Sequence, residues 1–158
     1  MQSKSRIPDT LLNGDNTSLD NPTDIGNVFA SFFYSVFIDS SLSNITYDDG
    51  NNISLDDLDT NGVLNSLKCT KNKSTAGPDK IPAFILKDCA HVLADPLTKL
   101  FNLSLTTHIF PDTWKQGKIS PVFRAGSTSS IENYHPISIL SNIAKVFERC
   151  IYNKLTFK

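Results

Sequence analysis

The sequence feature that most restricts the possible folds of this chain is segment 114–140 with the amphipathic run that follows it. Two short apolar stretches, Ile119–Phe123 and Pro136–Leu140, flank a polar loop rich in Gly and Ser. Such stretches bounded by turn residues predict two β-strands that form a flap. Ser141, a favoured N-cap residue, then precedes apolar positions at helical spacing within Ile143–Leu155. The pattern predicts a small β-flap that passes directly into a helix.

An amphipathic helix is also predicted near the beginning of the chain. Thr23 and Asp24 are the candidates for its N-cap. Apolar side chains recur after them at i, i+3, i+4 and i+7, the spacing of one helix face. The positions that form this face are Ile25, Val28, Phe29, Phe32, Phe33, Val36 and Phe37.

Three further helices are predicted, at about 54–67, 82–89 and 91–107. Ser54 is the expected N-cap of the first of them. The last one should bury Leu93, Leu97, Leu100, Phe101 and Leu105. Trp114 is expected to anchor the next turn in the core. With the flap, these helices predict an α+β fold that is mainly helical.

Charge is divided unevenly along the chain. Residues 1–60 carry two Lys/Arg against ten Asp, a net charge of −8, whereas residues 61–158 carry thirteen Lys/Arg against six Asp/Glu, a net charge of +7. This asymmetry favours contact between residues 61–158 and a polyanion, although solvated helix faces are also often rich in lysine. We expect a polar, disordered leader at 1–22, an acidic helical linker region at 23–67 and a third region at 68–158.

The composition argues against several classes of protein. The three cysteines lack the spacing of metal ligands, so no metal or cofactor is assigned to this chain. The apolar runs are shorter than the roughly 18–20 residues that span a bilayer, and no signal peptide is evident. We therefore expect an intracellular protein without a membrane partner. The pattern does not distinguish cytoplasm from nucleus.

Six motifs of the second part occur together in a characteristic order. They are STAGPDKIP, LFNLSL, FPDTWK, KISPVFRAGS, ENYHPISIL and SNIAKVFERCIYNKL. Together they resemble the amino-terminal part of the reverse transcriptases of non-LTR (LINE-type) retrotransposons, over about 25–158. The resemblance implies a right-handed polymerase, of which this chain would hold the fingers and the first palm helix. Residues 68–158 would then be a partial reverse transcriptase domain.

The resemblance implies two nucleotide contacts on the flap. Arg124 stands where the family usually has a Lys that meets the triphosphate of the incoming nucleotide. His135 replaces an Arg of the family's NYRPIS motif, the second triphosphate contact. Because His is largely neutral at pH 7 and cannot form a bidentate contact with phosphate, this change weakens the site. Either the enzyme tolerates a weaker contact or this copy has decayed, and we favour decay.

The resemblance also places the STAGPDKIP loop along the template strand. Gly77, Pro78 and Asp79 would form the turn there, and Lys73 and Lys80 would contact phosphates. Lys118 is expected to add a contact from the flap. A plain surface turn between two helices is the alternative interpretation of the loop.

The catalytic carboxylates of the family are not recognisable in this chain. The complete family enzyme uses Mg²⁺ held by paired Asp residues, which in the family lie beyond the helix that closes this chain. Tyr47-Asp48-Asp49 has a similar composition, but we interpret it as a solvated acidic turn. The apolar face of the last helix, which in the family packs under the palm sheet, should here be exposed or buried by rearrangement.

We therefore expect a fragment of an RNA-directed DNA polymerase that is inactive alone. Its partners would be an RNA template and a DNA primer, bound weakly or not at all, with dNTP a substrate of the complete enzyme only. Two alternatives remain open. One is a non-catalytic remnant that binds RNA or DNA, and the other is a helical protein-interaction domain.

Overall fold

The structure, a computed structural model, describes residues 7–12, 17–36 and 57–156. Within these ranges the chain forms six α-helices and two small antiparallel sheets, so the α+β, mainly helical class is confirmed. None of the described helices has the length and apolarity that crossing a membrane requires. The elements in chain order are β1 Leu11–Leu12, β2 Ser18–Leu19, α1 Pro22–Ser35, α2 Thr60–Lys68, α3 Ala83–Asp88, α4 Ala90–Thr107, α5 Asp112–Lys115, β3 Gly117–Phe123, β4 Tyr134–Leu140 and α6 Asn142–Thr156.

These elements divide between two compact units. The first unit contains the described residues up to Val36 together with Ile119–Ser138. The second contains residues 57–118 and 139–156. The boundaries of the three regions predicted from composition stay predictions.

The first unit is built around α1. Ile25, Phe29 and Phe33 are buried on one face of the helix, as its apolar spacing predicts. The rings of Phe29 and Tyr134 meet edge to face with centroids 4.9 Å apart, a geometry that aromatic quadrupoles favour. The expected cap was wrong. Asn21 is the N-cap, since its side chain accepts a hydrogen bond from the backbone N of Thr23 at 3.0 Å.

A short hairpin precedes this helix, inside the segment for which we expected a loose leader. Strands β1 and β2 pair antiparallel, with Leu11 opposite Leu19 and Leu12 opposite Ser18. Leu11 is fully buried in the apolar cluster that also contains Phe29. This side chain therefore ties part of the leader to the core of the first unit.

The second unit buries one face each of α2, α3, α4 and α6. Its core contains Leu58, Val63, Leu67, Leu86, Ala90, Ala94, Leu97, Phe101, Trp114, Ala144, Val146, Phe147 and Cys150. Trp114 anchors its turn in this core, as predicted, and its ring contacts Phe101 edge to face at a centroid distance of 5.8 Å. The short helix α5 that carries Trp114 was not predicted from the sequence.

Helix α2 begins later than its sequence pattern suggested. Residues 57–59 are not helical, and Thr60 is the first helical residue. Asp59 is the N-cap because its Oδ1 accepts a hydrogen bond from the backbone N of Gly62 at 2.8 Å. Ser54, the predicted cap, lies outside the described residues.

Helix α4 is the longest helix of the described part, and Pro96 lies inside it. Four of the five apolar residues predicted for its inner face are buried or partly buried, but Leu100 is 40% exposed. The prediction for Leu100 was wrong because the helix turns this position away from the core that receives Leu97 and Phe101.

The apolar face of α6 is buried within the second unit itself. Val146, Phe147 and Cys150 pack against the other helices of the unit. Burial raises the pKa of the Cys150 thiol. Leu155 is half exposed at the end of the same face. The apolar face of α6 was predicted to be either exposed or buried by rearrangement, and its central part is buried.

Candidate nucleic-acid interface

A tight turn forms the centre of the STAGPDKIP loop in the second unit. The backbone N of Lys80 donates to the carbonyl oxygen of Gly77 at 3.0 Å, which closes a four-residue turn around Pro78 and Asp79. Proline presets the backbone for the second position of such a turn. Lys80 has a φ of 58°, in the left-handed region that residues other than Gly seldom adopt.

The backbone of the turn lies directly against the junction of β4 and α6. A Cβ atom on Gly77 would stand 2.7 Å from both the carbonyl oxygen of Leu140 and the backbone N of Ser141. Only a residue without a side chain fits at this distance. The close approach of the Leu140–Ser141 backbone therefore explains why position 77 is a glycine.

Side chains at the start of α6 fasten the loop. The Ser141 hydroxyl donates to Asp79 Oδ2 at 2.6 Å. The same hydroxyl oxygen accepts from the backbone N of Ala144 at 3.3 Å, so the prediction that Ser141 caps the helix is confirmed. The Asn142 amide donates to the carbonyl oxygens of Thr75 and Ile81, at 3.0 and 2.8 Å.

The loop residues predicted to follow the template thus divide into two kinds. Gly77 is buried and Asp79 is bonded within the protein, while Pro78 is half-buried. Lys73 and Lys80 are exposed. Within the described residues neither lysine forms a salt bridge. The structure therefore leaves two lysines free for a partner, and their contact with nucleic acid stays a prediction.

The flap is a two-stranded sheet of β3 and β4. Each strand begins about two residues earlier than predicted, so β3 is longer at the end away from the loop and β4 is longer at the loop end. Its connecting loop is fixed by internal hydrogen bonds. The backbone N of Arg124 donates to the carbonyl oxygen of Asn133 at 2.8 Å, and Asn133 Nδ2 donates to the carbonyl oxygen of Ser127 at 2.9 Å. The Tyr134 hydroxyl donates to the carbonyl oxygen of Thr128 at 2.7 Å.

Both predicted nucleotide contacts belong to this hairpin in the first unit. Arg124 follows β3 directly and His135 is the second residue of β4, and both side chains are exposed. In the described part of the chain the guanidinium of Arg124 has no carboxylate partner. Lys118, exposed on β3, belongs to the second unit. The hairpin therefore carries one permanent cation and one imidazole, both exposed.

No set of described residues suits a catalytic Mg²⁺ ion. Within the described ranges no three or more His, Cys, Asp or Glu side chains form a group able to hold a metal. Glu148 is exposed on α6, and Asp79 is engaged by Ser141. Tyr47-Asp48-Asp49 lies outside the described residues. These side chains do not fit the ion that the family resemblance implies, and we assign it no ligand here.

Three curated relatives from Drosophila melanogaster are similar to parts of this chain. The probable RNA-directed DNA polymerase from transposon BS is 31% identical over 94 residues, which are 59% of this chain and 10% of that protein. The probable RNA-directed DNA polymerase from transposon X-element is 36% identical over 81 residues, 51% of this chain and 9% of that protein. The RNA-directed DNA polymerase from mobile element jockey is 35% identical over 60 residues, 37% of this chain and 7% of that protein.

The chain spans about a tenth or less of the length of these relatives. No family model matches it. The relatives nevertheless confirm the resemblance predicted from the six motifs. Over 37–59% of its length this chain is therefore similar to RNA-directed DNA polymerases of non-LTR retrotransposons.

Proposed function

We propose that this chain is the part of an RNA-directed DNA polymerase that forms the fingers and the first palm helix, and that its basic loops contact nucleic acid and the incoming nucleotide. The observation that carries the proposal is the placement of Arg124. Its backbone is fixed by the hydrogen bond to Asn133, while its guanidinium is exposed and, among the described residues, unpaired. A cation on a rigid support is preorganised for a phosphate oxygen.

The exposed lysines of the second unit support the same function. Lys80 ends a turn that is bonded to the start of α6, Lys73 lies in the same loop with its backbone bonded to α3, and Lys118 lies on β3. In the complete polymerase the partners would be an RNA template, a DNA primer and a dNTP. Phosphate contacts of this kind position a strand without reading its sequence. We therefore expect binding that depends on salt and little on sequence.

Neutralising the flap cations should weaken nucleic-acid binding. We expect Arg124→Gln and Lys118→Gln each to weaken the binding of a fluorescent RNA–DNA primer–template about tenfold, because each removes one charged contact. Each should also reduce the slope of log affinity against log salt by about 1. Fluorescence anisotropy titrations at several salt concentrations measure both quantities.

Lys99→Gln is the matched control for these variants. Lys99 is exposed on α4 and pairs with Asp95 at 2.8 Å, so its substitution removes the same charge from a residue that is not among the proposed contacts. An exposed pair of this kind contributes little to stability. If Lys99→Gln weakens binding as much as the flap variants, the contact is a general charge effect and the proposed interface is wrong. If the wild-type chain does not bind at all, the protein-interaction alternative is favoured.

We also propose that the chain alone does not polymerise DNA. Nucleotidyl transfer relies on metal ions that stabilise the attacking and leaving oxygens, and the described residues include no group of carboxylates suited to such ions. With primer–template, dNTP and Mg²⁺, we expect no extension product above the level without protein. A complete reverse transcriptase serves as positive control. Extension that co-purifies with the chain would contradict the proposal.

A further inference from the structure

We propose that Asp79, Ser141 and Asn142 are positioning residues that hold the loop at 73–82 so that Lys73 and Lys80 are presented to phosphates. The proposal rests on the proposed nucleic-acid function and deepens it. It assigns Asp79 a role inside the protein, whereas the sequence motif alone placed this residue along the template.

The three side chains form a hydrogen-bonded cluster, called the clamp below, in which Ser141 and Asn142 are buried and Asp79 is partly buried. Ser141 is fully buried and Asn142 is 7% exposed. Both carboxylate oxygens of Asp79 accept hydrogen bonds within the protein, Oδ1 from the backbone N of Ile81 at 3.1 Å and Oδ2 from the Ser141 hydroxyl at 2.6 Å. Both oxygens of this partly buried carboxylate are therefore engaged within the protein, which leaves Asp79 less available to a strand.

The clamp forms hydrogen bonds to the loop on both sides of the turn. Asn142 donates to Thr75 on one side and to Ile81 on the other. Ala76 and Pro82, the residues that follow Thr75 and Ile81, pair as an isolated antiparallel bridge. The chain from Thr75 to Pro82 is thus closed on itself and fastened to the start of α6.

This fastening fixes the two lysines of the loop. The carbonyl oxygen of Lys73 accepts from the backbone N of Phe84 at 3.2 Å, which ties Lys73 to α3. Lys80 holds a left-handed conformation that an isolated chain would rarely populate at a lysine. The clamp therefore selects the direction in which Lys80 leaves the backbone. A cation whose position is set before binding loses less freedom when it contacts a phosphate.

The change in charge distinguishes a positioning role of Asp79 from direct contact of Asp79 with the nucleic acid. If Asp79 faced the nucleic acid, Asp79→Asn would remove a repulsive charge and tighten binding to a polyanion. If Asp79 acts through the clamp, the same substitution should weaken binding. The amide of Asn keeps only one acceptor oxygen, whereas the carboxylate accepts one hydrogen bond from the Ser141 hydroxyl and one from the Ile81 N–H through two oxygens. Ser141→Ala changes no charge. Because the same hydroxyl also caps α6, an effect of Ser141→Ala on affinity reports the position of the loop only where the helix content of the variant is unchanged.

The test measures primer–template affinity and its salt dependence for the wild type, Asp79→Asn and Ser141→Ala, at a temperature where circular dichroism shows each to be folded. We expect binding roughly tenfold weaker for both variants. We also expect the slope of log affinity against log salt to fall by up to about 2 for Ser141→Ala, as Lys73 and Lys80 lose their contacts. Asp88→Asn, an exposed carboxylate on α3, is the control and should bind as tightly as the wild type or slightly more tightly.

Trypsin cleavage after Lys73 and Lys80 provides a second measurement on the same proteins. Faster cleavage in Ser141→Ala with weaker binding supports the proposal. Faster cleavage with unchanged affinity and slope overturns it, because the clamp would then be only structural. Tighter binding by Asp79→Asn overturns it as well. A wild type that does not bind refutes the proposed function, and the trypsin pattern then shows separately whether the clamp exists.

Discussion

Gly77→Ala should destabilise the second unit by about 3 kcal/mol, the upper part of the range for inserting a group into a packed site. The new Cβ would lie 2.7 Å from the carbonyl oxygen of Leu140 and the backbone N of Ser141. Both are backbone atoms, and Ser141 is fully buried, so neither can give way as a flexible side chain would. Relieving the clash would separate the loop from α6 and break the hydrogen bond between Asp79 and Ser141.

Urea unfolding followed by Trp114 fluorescence measures this effect, since the single tryptophan of the chain lies in the core of the same unit. Gly62→Ala is the matched control within that unit. The three atoms nearest to its Cβ would all belong to the side chain of Asp59, the closest at 3.0 Å, and alanine is favoured over glycine in a helix by up to about 1 kcal/mol. We expect little change or a small gain for Gly62→Ala. Equal stability of the Gly77→Ala and Gly62→Ala proteins would show that the loop does not pack against α6 as described.

Phe147→Ala should cost about 3–5 kcal/mol of stability, the usual range for removing a buried aromatic ring. Phe147 is 3% exposed, and its ring centroid lies 4.9 Å from that of Phe101 and 5.5 Å from that of Trp114. Because α4, α5 and α6 meet at this ring, its loss leaves a cavity between three elements. A domain of this size is stable by only about 5–15 kcal/mol. The variant should therefore unfold at a clearly lower urea concentration.

Tyr152→Ala on the same helix separates loss of packing from loss of helix propensity. Tyr152 is 64% exposed, so its removal should change stability by no more than about 0.5 kcal/mol. If Phe147→Ala were as stable as Tyr152→Ala, the apolar face of α6 would not be buried in the second unit. That result would favour the alternative in which the apolar face of α6 is exposed.

Elements with a strong local pattern could be predicted from the sequence. The face of α1 that carries Ile25, Phe29 and Phe33 and the flap strands on either side of a Gly/Ser loop were found because spacing and turn residues are local signals. Caps and boundaries were less secure. Asn21 precedes a proline that already presets the helix, and Asp59 caps α2 five residues after the expected start, because several polar residues in each segment could have served.

The site could be predicted only in part. Arg124, Lys73 and Lys80 were recognised by motif, and the structure leaves their side chains exposed. The pairing of Asp79 with Ser141 joins residues 62 positions apart, and no periodicity connects them. A serine and an asparagine at the start of a predicted helix suggested a cap but not a link to the loop. Tertiary contact, which a single sequence does not display, decides this part of the site.

Salt-dependent binding of the wild-type chain to an RNA–DNA primer–template is the critical test of the proposed phosphate contacts. If Lys73, Lys80, Lys118 and Arg124 each contact one phosphate, log affinity should fall linearly with log salt with a slope of about −3. Fluorescence anisotropy between low and physiological salt concentrations gives this slope. A slope close to zero, or no binding at low salt, would contradict the account of this chain as a nucleic-acid-binding segment of a reverse transcriptase.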